Sequence, residues 1–290
     1  MLMYPKIDPV AFSVGKLKVH WYGIMYMVGF LSFLYIGKYR VKKYGHSFLT
    51  VKLVDDTLFY AALGVVLGGR LGYCLFYQPA FYLLHPLNII KTWDGGMSFH
   101  GGLLGVMVAT YLFARKNHST FFELGDFIAP IVPVSLFFGR IGNFINGELW
   151  GKITTSNIPW AMVFPQSGSM LPRHPSQLYE AIGEGIILTI FLMMYASKPR
   201  KIGQTSAMFL IGYGVIRFVI EYFREPDAFL QNVVTFTHLS MGQWLCVPMI
   251  ILGILLYWYA TKYWRYPVLK TLPEGAKPVV KPGAKNTKKK

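Results

Sequence analysis

The chain has 290 residues, of which 53% are apolar, 17% aromatic and only 14% charged, and its formal net charge is +16. Ordinary soluble chains carry about 25% charged residues, so the length is expected to go into membrane spans rather than one large water-soluble core. The positive balance does not point to nucleic acid, because Lys and Arg cluster in short segments beside apolar runs, as membrane flanks do. Cys74 and Cys246 lie in apolar surroundings and read as small buried residues rather than a disulfide framework. No cleavable signal peptide is expected, since residues 1–20 are mixed and lack a short apolar stretch with a small-residue cleavage site.

In chain order, FSVGKLKV at residues 12–19 comes first, alternating apolar and polar residues about Gly15 and Lys16. That is the pattern of a small hairpin or surface arm. Seven apolar runs follow, at 21–39, 58–77, 100–114, 121–140, 177–196, 203–223 and 241–260. A hydrocarbon core about 30 Å thick takes roughly 20 helical residues, so each run is expected to span, the third being the shortest. Gly64, Gly68, Gly69, Gly101, Gly102 and Gly105 fall inside the runs, where small residues let helices approach closely. Residues 151–175 form the longest connection on their side, and their Thr, Trp, Val and Pro content predicts short strands or an irregular cap. The expected fold class is an all-α polytopic membrane protein with about seven transmembrane helices, a small periplasmic cap and an N-terminal arm. Residues 1–266 are read as one membrane-embedded domain, and the Lys-, Pro- and Gly-rich residues 267–290 as a disordered cytoplasmic tail.

Basic residues orient the bundle. Lys38, Arg40, Lys42, Lys43 and Lys52 follow the first run, Arg115 and Lys116 the third, and Lys198, Arg200 and Lys201 the fifth. Nine more lie beyond the seventh. The positive-inside rule makes that side cytoplasmic, with the N-terminus outside and the C-terminus inside.

Ionisable residues within spans are costly and signal function by default. In this orientation Arg70, His100, Arg140, Glu180, Arg217, Glu221 and Arg224 all fall toward the outer ends, which suggests a cavity open to the outer leaflet. Arg217, Glu221 and Arg224 follow i, i+4, i+7 spacing and share a helix face. Glu221 either neutralises Arg217 within the bundle or joins a functional site. Arg140 meets no acidic residue at helical spacing before Glu148. Several guanidiniums with few local acids predict an anion clamp, and the planar guanidinium fork suits phosphate. His100, flanked by glycines in WDGGMSFHGGLLG at residues 93–105, is either a proton exchanger near neutral pH or an ordinary interfacial histidine. In GRIGNFINGELWG at residues 139–151, Arg140, Asn143, Asn146 and Glu148 alternate with Ile141, Phe144, Ile145 and Trp150. This predicts a buried polar network against apolar walls.

At these residues the chain resembles the bacterial prolipoprotein diacylglyceryl transferases, whose signature reads G-R-x-G-N-F-x-N-x-E-x-x-G. Gly139, Arg140, Gly142, Asn143, Phe144, Asn146, Glu148 and Gly151 supply it without departure. The resemblance continues through HWYG at 20–23, GGR at 68–70, DGGMSFHGG at 94–102, HPSQLYE at 174–180 and YGVIRFVIEYFREPD at 213–227. It implies transfer of the diacylglyceryl group of phosphatidylglycerol to the lipobox cysteine of a preprolipoprotein, giving a thioether and glycerol 1-phosphate. It further implies a bacterial inner-membrane location and partners limited to these substrates and membrane lipids, while the orientation read from the basic residues places the active site toward the outer leaflet. Neither cofactor nor metal is expected. The roles it suggests are His100, Arg140 and Arg217 as catalytic groups, His100 being the base. Tyr22, Asn143, Asn146, Glu148, Gly151 and Glu221 would bind substrate. Arg70, Glu180 and Arg224 are open between structure and function. The competing classes are a transporter or flippase of an anionic lipid or metabolite, a membrane peptidase, and a non-catalytic scaffold. No internal repeat supports a transporter, and no Ser–Lys, paired-Asp or zinc pattern supports a peptidase.

Overall fold

The computed structural model describes residues 2–15, 17–92, 95–155, 158–225 and 239–268. Helices make up most of it. In chain order they are α1 Trp21–Tyr44, α2 Val51–Phe76, α3 Pro79–Leu84, α4 Phe99–Lys116, α5 Phe121–Ile128, α6 Val132–Asn146, α7 Ser176–Glu180, α8 Leu188–Ala196, α9 Gln204–Ile220 and α10 Met241–Tyr263. A π-helical segment, Ala181–Ile187, joins α7 to α8. Side-chain caps set several starts: Thr50 accepts from the Leu53 amide, Ser98 from the Gly101 amide, and Thr120 and Ser240 form capping boxes with Glu123 and Gln243.

Helices occupy all seven apolar runs, but among the described residues three helices are long and apolar enough to cross a membrane on their own: Val51–Phe76, Ser176–Ala196 and Met241–Tyr263. A fourth is made by the pair Phe121–Ile128 and Val132–Asn146, bent by 53°. The unbroken helix expected over 121–140 is therefore corrected to two. The break holds Pro130, which has no amide proton to continue the helix, although Ala129 before it keeps helical backbone angles, φ −50° and ψ −42°. The second piece also runs beyond Arg140 to Asn146, so the polar motif occupies a helix rather than only its end.

Helix α2 packs most extensively on α4, α9 on α10 and α1 on α6. The α2–α4 seam is made by glycine. A β-carbon on Gly64 would sit 2.6 Å from the Gly105 carbonyl oxygen, and one on Gly72 would sit 2.7 Å from the Gly101 α-carbon. Away from the seam the helices are strongly apolar outside. Phe59, Leu67, Leu75, Leu104, Leu112, Leu252, Ile254 and Leu255 are all exposed, a surface that hydrocarbon accommodates and water does not.

One internal cluster, including Phe33, Val41, Leu49, Phe113, Leu124 and Ile131, gathers α1, α2, α4 and α5. A smaller one, Tyr4, Met162 and Phe164 with Phe144 and Trp150 against it, ties the N-terminus to the end of α6. Strand β1 (Leu2–Met3) pairs parallel with β4 (Met162–Val163), which pairs antiparallel with β5 (Pro172–Arg173). The hairpin expected at 12–19 is present as β2 (Val10–Val14) and β3 (Leu17–His20). Cys74 and Cys246 are buried free thiols. The expected basic tail lies outside the described residues from 269 onward.

Candidate active site

Helix α6 closes on Gly147 in the left-handed conformation, φ 64° and ψ 37°, where a side chain would be strained. Leu149 follows at φ 58°, an uncommon position for a residue with a β-carbon. This tight exit turns Glu148 back onto the helix. Its Oε1 accepts from Asn143 Nδ2 at 2.8 Å and Asn146 Nδ2 at 3.3 Å. The backbone of the turn is tied from α7, where Gln177 Nε2 donates to the Glu148 carbonyl at 2.6 Å and the Ser176 hydroxyl to the Leu149 carbonyl at 2.9 Å. On the other side the Tyr4 hydroxyl reaches the carbonyls of Phe144 and Ile145, each at 2.7 Å.

Gly151 is held between two strands of chain. Its amide donates to the His174 carbonyl at 2.9 Å, and a β-carbon there would lie 2.5 Å from both the His174 and Phe223 carbonyl oxygens. Only glycine fits. His174 bonds the Tyr179 hydroxyl through Nδ1, and burial lowers its pKa.

One turn back along α6, Arg140 meets Arg217 from α9 over shared carboxylates. Arg140 Nε lies 2.9 Å from Glu180 Oε2, and its Nη2 lies 3.2 Å from Glu184 Oε2. Arg217 Nη1 lies 2.5 Å from Glu180 Oε1 and 3.2 Å from Glu184 Oε1, while Nη2 lies 2.6 Å from Glu221 Oε2. Arg224 reaches Glu180 at 3.5 Å, and the Ser240 hydroxyl donates to Glu221 Oε1 at 3.0 Å. Glu180 and Glu184 are fully buried. Three guanidiniums thus face three carboxylates, and the expectation of cations with few acids is corrected. Two of the three acids, Glu180 and Glu184, come from the α7–π segment, distant in sequence from Arg140 and Arg217, while Glu221 lies one turn after Arg217. Removing one member of such a buried network typically costs about 3–5 kcal/mol.

The structure brings together Arg140, Arg217, Glu221, Glu180 and Arg224 in one cluster, with Asn143, Asn146, Glu148 and Gly151 along the same helix end. Tyr22 packs its ring on α6, where a β-carbon on Gly142 would come within 2.8 Å of it, and its hydroxyl lies 3.2 Å from that of Tyr26. His100 stands apart. It is exposed in the first turn of α4, its ring rests on Phe99, and it makes no side-chain hydrogen bond or ion pair among the described residues. Arg70 serves structure, since its guanidinium donates to the carbonyls of Asn88, Ile89, Lys91, Gly95 and Gly96. Sequence reasoning missed Glu184, although an acid four residues from Glu180 within an apolar run was the available signal. It also missed Tyr4 and Ser240, ordinary polar residues with no local mark, and did not single out Ser176 and Gln177 within the HPSQLYE motif. Among the described residues, no group of three or more His, Cys, Asp or Glu is placed to hold a metal ion.

A multi-pass helical membrane protein with a buried guanidinium–carboxylate cluster beside a tightly tethered helix end is the class these features define. The family model described as prolipoprotein diacylglyceryl transferase matches residues 9–259, and the chain belongs to that family. Among similar proteins, the phosphatidylglycerol–prolipoprotein diacylglyceryl transferase of Paracidovorax citrulli is 54% identical over 268 residues, covering 90% of this chain and 98% of the relative. Those of Bordetella parapertussis and Dechloromonas aromatica are 56% and 55% identical over 262 residues, with the same coverage.

Proposed function

We propose that the chain transfers the diacylglyceryl group of phosphatidylglycerol to the lipobox cysteine of a preprolipoprotein, releasing glycerol 1-phosphate. The observation that carries this reading is the pairing of Arg140 and Arg217 over shared carboxylates, in a chain whose relatives are named for that lipid and that protein class. The cysteine sulfur, as thiolate, attacks the glyceryl carbon that bears the phosphate oxygen. A carbon–sulfur bond forms, the carbon–oxygen bond breaks, and its electron pair leaves with the phosphate.

The departing group changes from a phosphodiester monoanion toward a monoester dianion. Arg140 and Arg217 hold the phosphate and meet the charge as it grows, which is where catalytic stabilisation counts. A free thiol ionises near pH 8.5, and neighbouring guanidiniums favour the thiolate. His100 takes the thiol proton. Its exposure at the start of α4 leaves it reachable by an incoming peptide. Tyr22, Asn143, Asn146, Glu148 and Glu221 position headgroup and side chains, and Gly151 permits the turn that carries them.

In this reading residues 1–266 form one catalytic domain of seven spans in the bacterial inner membrane. The N-terminus and the cap at 151–175 are periplasmic, the site opens to the outer leaflet, and the C-terminus is cytoplasmic. The basic residues after α1, α4 and α8 support that orientation.

Purified protein in phosphatidylglycerol vesicles should add one diacylglyceryl mass to a lipobox-cysteine peptide. Arg140→Ala and Arg217→Ala should each lower turnover by about a hundredfold or more, and His100→Gln should lower it as well. Absence of product from folded wild-type protein, or unchanged turnover in both arginine variants, would defeat the proposal.

A further inference from the structure

Glu184 has no exposed surface and no place in the motifs that mark the family resemblance. Its two oxygens divide between two arginines, Oε1 at 3.2 Å from Arg217 Nη1 and Oε2 at 3.2 Å from Arg140 Nη2. Glu180 divides in the same way, at 2.5 Å and 2.9 Å. The two carboxylates bridge a pair of guanidiniums that would otherwise repel each other. Glu184 lies within the π-helical segment Ala181–Ile187, a rare conformation that gathers at functional sites.

Carboxylate partners offset the cost of burying guanidiniums, and every such partner also weakens their pull on a bound anion. Here three buried carboxylates offset three arginines, which lowers the affinity of the cluster for any anion. The transfer reaction supplies a reason. Its lipid substrate carries one negative charge at the phosphate, whereas the released glycerol phosphate carries nearly two at neutral pH. A bare arginine pair would therefore bind product more tightly than substrate, and release would limit turnover.

We propose that Glu184 is a positioning residue that aligns Arg140 and Arg217 and holds the charge of the pair low enough for the phosphate monoester to leave. This rests on the transferase reading above and assigns the cluster a second duty, product release.

Glu184→Gln keeps the shape of the side chain and removes its charge. It should make glycerol 1-phosphate an inhibitor about tenfold stronger, and lower both KM for phosphatidylglycerol and kcat. Loss of a merely structural contact would instead raise KM and weaken inhibition. Glu184→Asp keeps the charge and shortens the reach, so kcat should fall while inhibition by glycerol 1-phosphate stays at the wild-type level. If Glu184→Gln turns over too slowly to assay, protection of the variant against thermal unfolding by glycerol 1-phosphate reads the same affinity, and stronger protection than in wild type is expected. If it does not fold, Glu221→Gln removes one negative charge from the same cluster and should show the same tightening. Inhibition or protection that is unchanged or weaker in the folded glutamine variant overturns the proposal. Wild-type protein inactive toward the lipobox peptide overturns the transferase reading itself, whereas active wild type with an untightened variant overturns this inference alone.

Discussion

Arg70 and Arg217 are both buried guanidiniums inside helices, and their partners separate their roles. Arg70 is saturated by five backbone carbonyls and pins the connection between α3 and α4. Arg217 spends its donors on carboxylates, whose hold an anionic ligand can compete for. Another residue-scale effect lies at the opposite end of α1. His46 Nδ1 accepts from the backbone amides of Phe48 and Leu49 at 3.3 Å and 3.2 Å, and burial, with Arg40 nearby, pulls its pKa down to about 4. In the unfolded chain it titrates near 6.5. Between those values the unfolded state binds a proton that the folded state refuses, so this part of the stability is present above about pH 6.5 and is lost as pH falls toward 4. Thermal unfolding followed across that range should show the decline, and His46→Gln should flatten it. An identical slope in the variant would assign the effect elsewhere.

At the scale of elements, two departures from regular helix set up the site. The 53° bend between α5 and α6 redirects the chain at Pro130, and the π segment presents Glu184 beside Glu180. Hydrophobic periodicity could show neither, because a bent or widened helix keeps an apolar composition. The α2–α4 seam was readable, since its glycines recur at spacings that put them on one helix face. A β-carbon on Gly105 would overlap the Gly64 carbonyl, so Gly105→Leu should separate the helices and cost roughly 1–3 kcal/mol. Gly23→Ala is the control, because a β-carbon there meets nothing within 4 Å. A lower unfolding temperature is expected for the first variant and little change for the second. Equal stability would show that the seam yields without penalty.

Across the whole molecule, apolar side chains clothe the outside of α2, α4 and α10, while the charged cluster is interior and sits toward one end. That inversion of the soluble pattern fits a hydrocarbon surround. The proposed orientation makes a direct prediction. In a background lacking Cys74 and Cys246, Thr155→Cys should react with an impermeant thiol reagent added to intact cells from the periplasmic side. Lys116→Cys should react only after the inner membrane is opened. The reverse pattern would overturn the orientation.

By itself the sequence determined the membrane character, the helical runs, the N-terminal hairpin and the family. Each is carried locally, by composition, by alternation of side chains or by an unbroken motif such as residues 139–151. It also brought forward Arg140, Arg217, Asn143 and Glu148, because polar groups among apolar ones are conspicuous in one dimension. Only the tertiary structure decided the charge balance of the cluster. Glu180 and Glu184 lie some forty residues from Arg140 and more than thirty from Arg217, yet they bridge both. Pairing over that distance depends on how α6, α9 and the α7–π segment pack, and no periodicity within any one of them records it.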